Sequence, residues 1–100
     1  MGETWESINQ WCEDTFGPAR PFRVVARANE EMAELIKEAD TLEWSDQLAI
    51  EAADVVIVLA RIPGLWDAVQ RKMAINRARE WRLTGDGCGY HIPKGAPHAD

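Results

Sequence analysis

Four carboxylates in the middle of the chain have the type and spacing to hold a divalent cation. From Leu48 to Ala60 the residues are apolar on nearly every side of a helix, yet Glu51 and Asp54 sit inside that run, three positions apart. A helix this apolar must be covered, and acids carried in with it lose their water unless something pairs with them or a wet cleft remains. Upstream, Glu30-Glu31-Met32-Ala33-Glu34 repeats the spacing, with Glu31 and Glu34 again separated by three. At about 100° per residue Glu31 borders the arc of Val24, Ala28 and Leu35, and Glu34 lies about 60° further round. If the two helices pack antiparallel through a short connection, the four acids converge. Two unit charges about 4 Å apart repel by roughly 4 kcal/mol at an effective dielectric near 20, so protonation or divalent cations must relieve the cluster. Oxygen-only donors favour a hard ion, Mg²⁺ first and Mn²⁺ second, and disfavour zinc. Glu30 and Glu38 fit equally well as members of a solvated face.

The elements that must position these acids are helical. Apolar residues recur at three- and four-residue steps in four segments, predicting helices over Thr4 to Phe16, Pro21 or Phe22 to Ala39, Asp46 to Ile62, and Leu65 to Leu83. Gly17-Pro18 and Pro63-Gly64 are stops, Pro21 suits a first helical turn, and Ser45 suits an N-cap. Val24, Val25, Ala28, Met32, Leu35 and Ile36 form the expected core face of the second helix. The expected architecture is an all-α four-helix bundle over residues 1–84, followed by an irregular C-terminal tail, 85–100, that gathers glycines, prolines, Tyr90, His91 and His98. Most of the five tryptophans are expected in the core.

Composition narrows the function. A chain of 100 residues, 46% hydrophobic, has room for one domain, and its formal net charge of −6 argues against general binding of a nucleic-acid polymer. After Asp54 the apolar stretch runs only from Val55 to Ala60, far short of the roughly 20 residues of a membrane-spanning helix. Without a basic, apolar leader, and with Cys12 and Cys88 far apart, the expectation is a cytoplasmic protein with two ordinary thiols. The apolar third helix exceeds what four short helices cover, which predicts a homodimer or homotetramer.

The order EEMAE at Glu30 to Glu34, then EAAD at Glu51 to Asp54, then a basic helix KMAINRAREW from Lys72 to Trp81, resembles the MazG-like all-α nucleoside triphosphate pyrophosphohydrolases, whose signature is EExxE followed by ExxD. The resemblance spans about Arg23 to Trp81. It implies Mg²⁺-dependent hydrolysis of a nucleoside triphosphate, often a deoxynucleotide, to the monophosphate and pyrophosphate, as part of nucleotide-pool housekeeping. By position, the metal ligands and catalytic carboxylates are Glu31, Glu34, Glu51 and Asp54. The resemblance also places part of the base pocket in the N-terminal region, where Trp11 and Phe16 are the candidates.

Lys72, Asn76 and Arg79 share one helix face and suit phosphate oxygens; without the resemblance a solvated stripe, or salt bridges to acidic helices, explains them better. Arg27, on the acidic side of the second helix, pairs with Glu30 or Glu31 or else meets phosphate. Ser, His and Asp do not come together in any usable pattern, which argues against covalent catalysis. Two other readings stand beside this one. A di-iron carboxylate bundle needs Glu-x-x-His, which no predicted helix carries. A non-enzymatic helical interaction module would pair its acidic cluster with a basic partner.

Overall fold

The computed structural model describes residues 2–41 and 43–95. Thr4 opens helix α1 (Trp5–Phe16) with a reciprocal cap: its hydroxyl accepts from the Ser7 N–H at 3.0 Å, and the Ser7 hydroxyl accepts from the Thr4 N–H at 2.8 Å. Gly17, at φ 77°, turns the chain out. Helix α2 (Pro21–Glu38) begins on its proline, whose missing N–H would have no helical partner there. Helix α3 (Asp46–Leu59) starts at the expected cap, with the Ser45 hydroxyl accepting from the Leu48 N–H at 3.1 Å. It ends three residues before Ile62, because the residue preceding Pro63 is driven out of the helical region and Gly64 takes φ 74°.

The chain divides into two units, one up to Leu65 and one from Trp66 onward. In the first, α2 and α3 pack together, and the buried residues are Cys12 from α1, Val24 and Ala28 from α2, and Val55 and Ala60 from α3 and its cap. Glu31 meets Glu51 and Asp54, while Val24 shares a cleft with Val58 and Arg61, so α3 runs back along α2. The buried row of α2 is narrower than expected. Val24, Ala28 and Leu35 face inward, whereas Val25, Met32 and Ile36 are exposed. The two rows lie roughly 80° apart on the helix, and one neighbouring helix covers only one of them.

The second unit holds helix α4 (Leu65–Ala78) from Trp66 onward, then strands β1 (Glu80–Leu83) and β2 (Gly89–Ile92), paired antiparallel with Trp81 opposite His91. This corrects two expectations: the fourth helix does not reach Leu83, and the region after it is not wholly irregular. The Trp81 indole N–H donates to the Asn76 carbonyl at 3.0 Å, satisfying an acceptor that a longer helix would have used. Asp86-Gly87 makes the turn: the Asp86 carboxylate accepts from the Thr84 hydroxyl and, at 3.1 Å, from the Cys88 N–H. Those two bonds, the hydroxyl first, hold the Asp86 carboxyl below its ordinary pKa. A side chain at Gly89 would bring its Cβ within 2.6 Å of the Arg82 carbonyl, so the hairpin needs glycine there. The last part of the expected tail, residues 96–100 with His98, lies outside the described residues. The tryptophans are also corrected. Trp5 is half-buried, but Trp11, Trp44, Trp66 and Trp81 are exposed, because helices this short enclose little interior.

Candidate functional site

Packing of α2 on α3 brings Glu31, Glu51 and Asp54 together. One carboxylate oxygen from each lies within 4.8 Å of the other two. Glu31 stands in the buried row of α2, so its side chain is only 13% exposed; Glu51 is half-buried and Asp54 is exposed. The group therefore sits at the mouth of the helix pair rather than in a dry interior. At these separations each pair of charges repels by roughly 3 kcal/mol at an effective dielectric near 20, less where water screens. The protein offsets part of this. Arg27, one turn before Glu31, pairs with its carboxylate, and Gln47, one turn before Glu51, donates its amide N–H to Glu51 Oε1 at 2.9 Å. Three oxygen donors from two rigid helices, with one side open to water, fit Mg²⁺ or Mn²⁺, which retain waters and take phosphate oxygens.

Arg27 is shared. Its second nitrogen lies 2.9 Å from Glu30, and Arg23 reaches the other oxygen of Glu30 at 3.5 Å. The Glu30 hydrogen bond first, and then the Glu31 charge, raise the guanidinium pKa above its ordinary value. The bond from Arg27 is in turn the largest cause holding the Glu30 carboxyl below its own. A carboxyl lowered on folding contributes stability above its unfolded pKa, and that contribution is lost as pH falls through the folded value. Arg27→Ala should therefore return the Glu30 titration, followed by side-chain NMR, toward the ordinary glutamate range; an unmoved titration would mean that this pair does not form in solution.

A cleft of about 760 Å³ opens beside the acids, lined by Glu31 and Asp54 together with Arg20, Arg23, Arg27 and Arg61. Four guanidiniums against two carboxylates make it locally cationic in a chain of net charge −6. Trp11 and Phe16 line it too, their rings meeting edge to face with centroids 5.6 Å apart and planes at 88°. Both are more than half exposed, which leaves aromatic faces for a planar ligand.

Of the residues singled out from sequence, the first unit brings together Glu31, Glu51, Asp54, Arg27, Trp11 and Phe16. Glu34 stands outside the acidic group; its carboxylate is 57% exposed and lies 3.4 Å from Lys37. Lys72, Asn76 and Arg79 belong to the second unit. Lys72 is exposed on α4, the Asn76 carbonyl caps the helix through Trp81, and Arg79, just past the helix end, lines a pocket of about 480 Å³ with Lys94 and Pro93. Sequence reasoning missed Gln47, Arg20 and Arg61. The four-residue step from Gln47 to Glu51 was a usable signal. Arg61 had none, since its partners Gly17 and Glu13 lie 44 and 48 positions away.

Comparison with known proteins identifies the family. No family model matches the chain. A dATP/dGTP diphosphohydrolase of cyanophage S-2L is 33% identical over 93% of this chain and 89% of its own length. A dATP/dGTP diphosphohydrolase of Salmonella phage PMBT28 is 36% identical over 95% of this chain, which spans only 32% of that longer protein. Among solved structures, the cyanophage S-2L MazG-like pyrophosphohydrolase bound to dGDP and three catalytic Mn²⁺ ions per active site superposes with a TM-score of 0.68 at 29% identity, covering 93% of this chain and 97% of that one.

Proposed function

This chain belongs to the MazG-like nucleoside triphosphate pyrophosphohydrolases, enzymes that release pyrophosphate and a nucleoside monophosphate, and within that activity we propose that its cleft takes purine deoxynucleoside triphosphates from the cytoplasmic pool. One observation carries the assignment of the site: Glu31, Glu51 and Asp54 converge beside a cationic cleft with an aromatic corner. The purine preference rests on the two relatives that act on dATP and dGTP.

In this reading Glu31, Glu51 and Asp54 ligate the divalent cation, Mg²⁺ or Mn²⁺. Glu34, one turn beyond Glu31, is the fourth ligand and must leave Lys37 to join them. A bound cation screens the phosphate charge, orients the chain of phosphates and acidifies water for attack. Arg20, Arg23 and Arg27 of the cleft would take phosphate oxygens, Arg27 from its place beside Glu31, while Arg61 is engaged by Gly17 and Glu13. The base stacks in the corner of Trp11 and Phe16. Water is the nucleophile, since among the described residues the one thiol lining the cleft, Cys12, is buried and no histidine lines it.

The experiment is a panel of NTPs and dNTPs with Mg²⁺ or Mn²⁺, reading pyrophosphate against orthophosphate. Pyrophosphate release fastest from dGTP and dATP is expected; orthophosphate as first product, or equal use of pyrimidines, would sink the proposal. A cation-independent association with basic partners, without turnover, would favour the interaction-module reading instead. No helix among the described residues is long and apolar enough to cross a membrane.

We also propose that the enzyme self-associates through α2. Phe22, Val25, Asn29, Met32 and Ile36 follow alternating steps of three and four, and all are exposed, Phe22 at 84% and Ile36 at 64%. A row of this kind with one asparagine is the pattern of a helix pair in fixed register. The exposed Ile50 and Val56 of α3 add apolar surface in search of cover. Val25→Glu with Ile36→Glu should shift the mass measured by light scattering to that of the monomer without loss of helicity. An unchanged mass would place the interface elsewhere.

A further inference from the structure

We propose that Arg61 is a positioning residue for the nucleotide: it clamps the end of α1 to the end of α3 and so sets how far the Trp11 and Phe16 corner stands from the carboxylates. This rests on the reading above, in which the cleft holds the nucleotide. Arg61 follows the C-terminal cap of α3, and its side chain is 12% exposed. One terminal nitrogen donates to the Gly17 carbonyl and to Glu13 Oε1, the latter at 3.4 Å. The preceding residue, Ala60, is 1% exposed and its carbonyl accepts from the Asn9 amide at 2.9 Å. Asn9, Glu13 and Gly17 are spaced by four, so they form one row along α1 and its end, gripped by two consecutive residues.

The two ends of this clamp are the two ends of the cleft. Phe16 directly precedes the anchored Gly17 carbonyl, and Trp11 meets Phe16 edge to face. Asp54, Val58 and Arg61 follow steps of four and three, and all three line the cleft, with Asp54 roughly 10 Å from Arg61 along the chain axis. A single guanidinium thus couples the aromatic wall to the segment that carries the metal ligands. The residue is expensive for mere packing. Its Nε–H is buried without a hydrogen-bond acceptor among the described residues, which an apolar side chain of similar volume would avoid. Loosening the clamp lets the wall drift while leaving Glu31, Glu51 and Asp54 in place, so the hold on the base weakens and the reacting centre stays intact.

Steady-state kinetics of the full chain with dGTP and Mg²⁺ test this on the wild type, Arg61→Ala, Arg61→Lys, Trp11→Ala and the Trp11→Ala/Arg61→Ala double variant. Arg61→Ala should raise KM by about tenfold or more with kcat within about threefold. Arg61→Lys should recover part of the loss, because an ammonium reaches one acceptor but lacks the planar fork. In the Trp11→Ala background the second substitution should add little, since the wall it positions is gone. Binding of Mn²⁺ alone, read by electron paramagnetic resonance, should be unchanged. If Arg61→Ala does not fold, Glu13→Ala removes one arm of the clamp and should raise KM by about threefold. An unchanged KM, a fall confined to kcat, or full additivity with Trp11→Ala overturns the proposal. A wild type that turns over no nucleotide overturns the underlying reading and this proposal with it, whereas an active wild type with an indifferent Arg61→Ala overturns the clamp alone.

Discussion

Glu51→Gln and Asp54→Asn each lower kcat for nucleotide hydrolysis by at least about 10²–10³-fold, the scale of losing a group that stabilises transition-state charge, while the cation-free protein becomes no less stable. The two halves of that outcome have one cause. Glu31, Glu51 and Asp54 hold oxygens within 4.8 Å of one another, so an amide at either position removes a repulsion in the empty site and a ligand in the loaded one. Glutamine is close to glutamate in helix propensity and size, and α3 should persist. The Gln47 amide, which donates to Glu51 Oε1 at 2.9 Å, still finds an oxygen on the replacement. Steady-state pyrophosphate release and thermal unfolding in chelator read the two halves together. Full turnover in either variant removes that residue from the ligand set; lost turnover with lost stability would mean that the carboxylate serves the fold instead.

Saturating Mg²⁺ or Mn²⁺ raises the melting temperature by roughly 10–20 °C at fixed protein concentration, and a chelator reverses the shift. A ligand at about 100 times its Kd that binds only the folded state contributes about 2.7 kcal/mol, and each kcal/mol moves the midpoint of a domain this size by roughly 4–8 °C. The size of the effect follows from construction. α2 and α3 carry their like charges into one place before any cation arrives, with Arg27 and Gln47 offsetting only part of the repulsion. Glu51→Gln should therefore cut the shift sharply, whereas Arg61→Ala should leave it intact because the clamp lies at the other end of the cleft. A shift below about 2 °C in the wild type would mean that the three acids do not bind the cation cooperatively with folding.

The acidic group was legible because it breaks a rule. Glu51 and Asp54 interrupt an apolar helix, and Glu31 borders an apolar arc, so their types and spacing alone announced carboxylates destined for a partner. Glu34 had the same spacing credentials, yet the structure leaves it on the solvent side with Lys37, since about 60° of helical rotation separates it from Glu31. The row of Val25, Met32 and Ile36 was read as core for a related reason: periodicity identifies an apolar face without saying which neighbour covers it, and here α3 covers only the adjacent row. The hairpin was missed because the alternation of Glu80 to Leu83 lasts only four residues and directly continues a helical pattern, although Asp86-Gly87 carried a turn signal.

What the sequence by itself determined is local or chemical: four helices, the Ser45 cap, the Pro63-Gly64 stop, and an oxygen-only ligand set matched to a hard divalent ion. Those properties depend on neighbours within a turn or two and on side-chain type, which a linear pattern records. Only the tertiary structure decided that Glu31 joins Glu51 and Asp54 while Glu34 does not, that four arginines make a cationic cleft in an acidic chain, and that Arg61 grips Gly17 and Glu13 from more than 40 positions away. These depend on how two helix faces meet, and a rotation of one helix by a single residue would assemble a different set.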